Sequence, residues 1–182
     1  IRVIPQCFLS SWNTEKELLQ KKNLPFWDFQ TPFFIYFGLM LFFLLLAILI
    51  GGILGAVCFF IQALVAVLHL EVVNYIEHYG LVRQKLDNGK FEPTRPHHSW
   101  NANDHASNLL LINLQKHSDH HARPNKKYQH LQSYDAGDAP QLPFGYPLMV
   151  LMSLIPQFWM KVMNPKVLEW RKRFYPEIQE WS

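Results

Sequence analysis

The sequence predicts an all-α protein: an integral-membrane helical bundle, of which this chain supplies one transmembrane hairpin, carrying a cytoplasmic helical cap rich in histidine. Three observations predict it. Residues 33–68 contain no Asp, Glu, Lys, Arg or His. The chain of 182 residues holds nine histidines, all of them after that run. The composition, 49% hydrophobic and 15% aromatic against 17% charged, excludes a disordered chain and a coiled coil. A net charge of +3, without a Lys/Arg stripe interleaved with aromatics, gives no footing for nucleic acid. The cysteines, Cys7 and Cys58, are too few for a disulfide framework or a four-thiolate site, so any metal must be held by nitrogen or oxygen.

Residues 1–32 set Trp12, Leu18 and Leu19 among Glu15, Lys16, Glu17, Lys21 and Lys22. That pattern suits a short interfacial helix, and equally an ordinary amphipathic surface helix. Pro25 and Pro32 bracket Phe26, Trp27 and Phe29, which read as an interfacial anchor leading into the membrane. Residues 33–79 form the hairpin. One straight helix over residues 33–68 would reach about 54 Å, against a hydrocarbon core of about 30 Å. The Gly51-Gly52 pair divides the run, and the second helix leaves the bilayer before stopping at Gly80, a C′ glycine. The bland alternative, a buried hairpin in a soluble protein, accounts poorly for so long an uncharged run. Lys21 and Lys22 precede the hairpin and Arg83 and Lys85 follow it, which by the positive-inside rule makes their shared side cytoplasmic.

Residues 80–142 form the histidine-rich metal-binding region. It opens with a turn-rich stretch containing Asp87-Asn88-Gly89, Pro93 and Pro96. Residues 104–122 then read as one helix, with Leu110, Leu111 and Leu114 on its apolar face and Pro124 as its stop. Residues 143–182 start with an apolar segment broken by Pro147 and Pro156. It is too interrupted for a span and suits a re-entrant or interfacial segment beneath the cap. A surface helix and tail rich in Lys, Arg, Glu and Trp complete the chain.

The sharpest chemical pattern is His117, His120 and His121, at i, i+3 and i+4, which share one helix face. Convergent imidazoles with open positions are what a metal needs; three solvated histidines would carry the same spacing. Glu71, Asn74 and His78 share a face where the second membrane helix emerges. Ionisable groups there mark a functional site or lie in the headgroup region. His78 adds a fourth nitrogen, and Asn74, Glu77 and Asp119 are the candidates to hydrogen-bond a ligand's outer ring nitrogen. His69, His97, His98, His105 and His130 lack ligand spacing and read as structural. No nucleophile elbow, Walker loop or dinucleotide glycine motif is present.

The strings NYIEHYGLVR (residues 74–83), HSWNAN (98–103), LQKHSDHHARPNKKYQHL (114–131) and LPFGYP (142–147) resemble the C-terminal half of membrane-bound alkane 1-monooxygenases, a histidine-rich di-iron family. The likeness covers most of the chain, from the SSW-x-x-E stretch near Ser10. It implies a non-haem site of two iron ions at the cytoplasmic end of a six-helix bundle, in a multi-pass protein of the bacterial inner membrane. His78, His117, His120 and His121 are the iron ligands it implies, and no separate catalytic residue. The implied activity is hydroxylation of the terminal methyl group of medium-chain n-alkanes to primary alcohols, with O2 as co-substrate and electrons from rubredoxin, itself served by rubredoxin reductase. The family's two further histidine boxes are missing here, so the chain reads as a C-terminal portion whose N-terminal half would bring the other ligands and four helices.

Two expectations follow from that resemblance. The apolar hairpin would help line the route of a hydrocarbon substrate from the lipid to the metal. Lys116, Arg123, Lys126 and Lys127 would attract an acidic rubredoxin. Three other readings stand beside these: a related hydroxylase acting on aromatic methyl groups or fatty-acid ω-positions, a non-catalytic metal-binding membrane protein, and a zinc hydrolase with Glu77 as base.

Overall fold

The computed structural model describes residues 3–25 and 31–178, and the aromatic anchor at Phe26, Trp27 and Phe29 lies outside them. Every regular element among the described residues is helical: α1 (Val3–Lys21), α2 (Pro32–His78), α3 (His105–Leu111), α4 (His117–Ala122), α5 (Tyr146–Ser153) and α6 (Pro156–Phe174), with short 3-10 turns at Pro96–His98 and Tyr128–His130. The chain forms two compact units, Ile1–Glu71 and Val72–Ser182.

In the first unit, α1 ends where Asn23 takes a left-handed conformation, φ 56°, so that the Leu24 N–H reaches back to the Leu19 carbonyl at 3.0 Å. Leu19 is buried, and the Trp12 ring lies 5.0 Å from that of Phe33. Pro32 opens α2, where its missing N–H costs nothing. The helix breaks once, at Gly52, whose φ of 58° and ψ of −143° favour a residue without Cβ. Past the break the second stretch crosses the first so closely that a Cβ on Gly55 would overlap the Ala47 carbonyl. Gly55→Val is therefore expected to destabilise the folded state by about 1–3 kcal/mol. Gly38, which has open space around it, should accept alanine with little change. Thermal unfolding in detergent compares the two.

α2 is long and apolar enough to cross a membrane, and none of its most apolar window is buried inside the protein. Only Val73, Ile76 and Glu77 of its 47 residues are buried. So large an apolar surface requires lipid or other membrane helices around it; the chain is an all-α membrane protein.

The second unit begins with the last turns of α2. Gly80, at φ 68°, ends the helix as the sequence predicts, and a Cβ there would also strike the Val167 side chain. Trp100 caps the helix end: its backbone N–H donates to the Glu77 carbonyl and its indole N–H to the Tyr79 carbonyl, both at 2.8 Å. Asp87-Asn88-Gly89 forms the predicted turn, closed by a bridge between Lys85 and Phe91.

Two expectations are corrected here. The single helix over residues 104–122 is split into α3 and α4, because Ile112 and Asn113 both turn left-handed at φ 51° and 68°. Asp104 caps α3 through the Ser107 N–H, and the break lets α4 take its own direction. The apolar segment after residue 143 is not merely laid beneath the unit. Tyr146, Met149 and Met152 of α5 and Trp159, Met163 and Val167 of α6 enter its hydrophobic core beside Val73, Ile76 and Trp100. Pro147 and Pro156 stand in the first turns of these helices, where proline is tolerated.

Candidate metal centre

α4 is fixed by a polar lock from the 98–103 string. The Asn101 side chain accepts from the Ser118 N–H at 3.0 Å and donates to the Ser118 hydroxyl at 2.6 Å, while that hydroxyl donates to the Pro96 carbonyl at 2.5 Å. Asn101 and Ser118 are each 1% exposed. This pairing of buried groups turns the first residues of α4 toward the end of α2.

Three imidazoles meet there. His117 Nε2 lies 3.3 Å from His78 Nε2 and 2.8 Å from His121 Nε2, and the three residues place ligand atoms within 4.8 Å of one another. His120 stands beside them rather than among them, its ring centre 5.8 Å from that of His117 and 5.5 Å from that of His121. Spacing at i, i+3 and i+4 does not reveal this offset, because it fixes a shared face of α4 and not where His78 of α2 meets it.

Glu77, 3% exposed, aims Oε2 at His117 Nε2 across 3.3 Å, while its Oε1 accepts a hydrogen bond from the Tyr146 hydroxyl at 2.9 Å. It thus faces the inner nitrogen of a candidate ligand rather than an outer one. Asn74 is exposed on α2 and makes no such contact. Asp119 is turned away from the histidines. Fully buried, it takes the Lys126 ammonium at 2.6 Å, the Gln132 N–H at 2.8 Å and the Tyr134 hydroxyl at 3.1 Å, holding residues 123–134 against α4. These bonds hold Asp119 below the usual carboxylate range even though burial pushes it upward.

Burial, then the neighbouring His121, His78 and His120, pushes His117 from its ordinary 6.5 down to about 2. Burial, then His78 and His120, holds His121 at about 4. Both rings are therefore neutral at pH 7, with lone pairs available. The donor set fits a metal ion: His117 Nε2 faces two like nitrogens and a carboxyl oxygen at once, and a single cation can be shared by all of them. On the His78 and His121 side the cluster opens into a cavity of about 230 Å³, also lined by Arg83, Thr94, His98 and Ser99.

A second group, Glu92, His97 and His98, also has ligand atoms within 4.8 Å of one another. Hydrogen bonds join its side chains and their neighbours. The Arg95 N–H donates to His98 Nδ1 at 2.9 Å, which leaves the proton of this neutral ring on Nε2, 2.7 Å from the Tyr175 hydroxyl. That hydroxyl donates to Glu92. The group ties the end of α6 to the loop before α3, and gives His97 and His98 a convergence that their spacing did not reveal. His69, His105 and His130 are exposed.

Low pH should loosen this unit. Burial, then His97, lowers His98 to about 4. His98, His117 and His121 all titrate lower when folded than at 6.5, so the unfolded chain takes up protons first and stability falls as pH drops from 6.5 towards 4. The melting temperature of chelator-treated protein is expected to decline across that window; a flat or rising profile contradicts it.

Residues 5–152 match the fatty acid desaturase family. The chain belongs to that family. Among curated relatives, this desaturase-family chain is 46% identical over 160 residues to alkane 1-monooxygenase 2 of Pseudomonas aeruginosa, covering 88% of the chain and 42% of the relative. It is 47% identical over 165 residues to alkane 1-monooxygenase 1 of the same organism, covering 88% and 41%. With the alkane 1-monooxygenase of Pseudomonas putida it shares 41% identity over 180 residues, 98% of the chain and 44% of the relative. The chain therefore spans a little over 40% of the length of these relatives. Their similarity agrees with the resemblance read from the histidine strings. Tyr146, Asn101 and Ser118, which build the cluster's surroundings, lie within those strings, but spacing alone assigned them no role.

Proposed function

We propose that the whole protein of which this chain is a part hydroxylates the terminal methyl group of medium-chain n-alkanes, at two iron ions, with O2 and electrons from rubredoxin. The observation that carries this reading is the convergence of His78, His117 and His121 in a chain more than 40% identical to proteins named alkane 1-monooxygenase. Bound iron supplies the oxygen activation. The residues of this chain hold it: His78, His117 and His121 through their Nε2 atoms, with His120 alongside as the fourth ligand. Glu77, fixed by Tyr146, places its carboxyl group beside His117. Four histidines cannot surround two irons, and the cavity beside His78 and His121 leaves room for ligands from elsewhere in the protein.

The reading makes α2 a hairpin that crosses the membrane twice, with both ends and the metal on the cytoplasmic side. Its uncharged stretch lines the substrate's path from the bilayer. Of the basic residues assigned to rubredoxin, Lys126 and Arg123 both pair with Asp119, at 2.6 and 3.8 Å, and Lys116 donates to the Leu131 carbonyl; Arg123 and Lys127 are the exposed ones. Product analysis of the whole protein, supplied with octane, p-xylene and a fatty acid in parallel, tests the function. Octan-1-ol as the main product is expected; preferential oxidation of xylene or of the fatty acid overturns the substrate class.

A further inference from the structure

α5 and α6 divide their apolar residues between two faces. Tyr146, Met149, Met152, Trp159 and Met163 are at most 3% exposed in the core. Leu148, Leu151, Leu154, Ile155 and Phe158 are 46, 62, 64, 55 and 49% exposed. The second set stands around the corner between the helices and leaves an exposed apolar patch of the kind that marks a protein or membrane contact.

The packing of α6 says where this corner points. Trp159 lies 5.3 Å, ring to ring, from both Tyr75 and Tyr79 at the end of α2. Further along, the Tyr79 hydroxyl donates to Asn164 at 2.7 Å, the Tyr175 hydroxyl reaches the Val82 carbonyl at 3.5 Å, and the Gln84 amide donates to Glu177 at 2.9 Å. Later residues of α6 thus meet later residues of the 75–84 segment. The start of α6, and the corner before it, lie toward Val72, the end of this unit at which the chain arrives from its uncharged run. Tyr75, 45% exposed, is the aromatic side chain placed to lie at a membrane–water boundary, with Trp159 buried behind it. The charge pattern agrees. Residues 139–160 carry no charged side chain, and the first two charges after them are Lys161 and Lys166, ahead of any acid.

We infer that the α5–α6 corner, led by Leu151, Leu154, Ile155 and Phe158, is a wedge seated in the bilayer at the headgroup–acyl boundary, with the exposed Lys161 at anionic headgroups. Such a seat places the apolar side chains about 5–10 Å below the headgroups. This lipid contact gives the second unit a seat on the bilayer of its own, besides its chain connection through α2. The inference rests on α2 being a membrane helix.

The test places a nitroxide at Leu154→Cys or Phe158→Cys, with Cys7 and Cys58 replaced by serine, in the whole protein reconstituted into nanodiscs containing anionic lipid. Labels at Leu46→Cys in α2 and at the exposed Lys172→Cys near the end of α6 serve as references. The wedge predicts collision with oxygen over collision with a water-soluble nickel chelate, in a ratio several-fold above that at position 172. Free access to the chelate at both corner positions overturns the inference, because the corner is then in water. Protection from both reagents overturns it too, because protein then covers the corner. If the label at position 46 is itself open to the chelate, the membrane reading of α2 fails, and the wedge with it.

Discussion

Replacing His117 with alanine in the whole protein is expected to remove most of its bound iron and to lower hydroxylation by at least about a hundredfold, the upper range for loss of a group that supports a metal site. His117 is the hub of the cluster: its Nε2 is the atom that both His78 and His121 approach, and it is the most buried of the three. Removal leaves Glu77 and two histidines around a gap with no shared centre. His120→Ala should have a smaller effect on the first equivalents of metal, because its ring stands outside the close trio. Elemental analysis of the two variants beside the parent separates these outcomes. Equal iron in the His117→Ala variant and the parent would remove the trio from the metal site.

Asp119→Ala is expected to cost about 3 kcal/mol of stability, because it strands the Lys126 ammonium and leaves the Gln132 N–H and the Tyr134 hydroxyl without their acceptor. Asp119→Asn keeps one acceptor oxygen, enough for the Lys126 ammonium and the Gln132 N–H that share Oδ2, while its amide can donate to the Tyr134 oxygen, and should cost less. Neither change touches a ring nitrogen of His78, His117 or His121, so metal affinity measured well below the melting temperature should stay within a few-fold of the parent. A large loss of affinity in a well-folded Asp119→Asn variant would restore the role first read for this residue, that of orienting a ligand.

The contrast between Asp119 and Glu77 shows what a sequence reveals about such a site. The break at Gly51-Gly52 and the stop at Gly80 were legible, because each rests on a local property, conformational freedom or the end of an apolar run; His78 was joined to His117 and His121 through the family resemblance, since spacing relates only residues of one helix. The direction of a short polar side chain was not. Asp119 and Glu77 both stand next to a histidine in sequence. One turns outward to fold a loop and the other inward to the cluster, because Lys126 and Tyr134 wait on one side and Tyr146 on the other. The split between α3 and α4 was hidden for a similar reason. Residues 104–122 carry a continuous helical pattern, and the left-handed turn at Ile112 and Asn113 goes against the preference of a β-branched residue. Tertiary bonds outweigh that preference, above all those joining Asn101 to Ser118 and the Ala102 N–H to the Gln115 carbonyl at 3.2 Å.

The most direct test of the central claim, that this chain contributes histidine ligands to a di-iron centre, is the metal content of the detergent-purified whole protein by elemental analysis. Two irons per protein in the parent, falling below one in the His117→Ala variant while the fold persists, is the result the account predicts. Zinc in place of iron, or a full iron complement retained without His117, would contradict it.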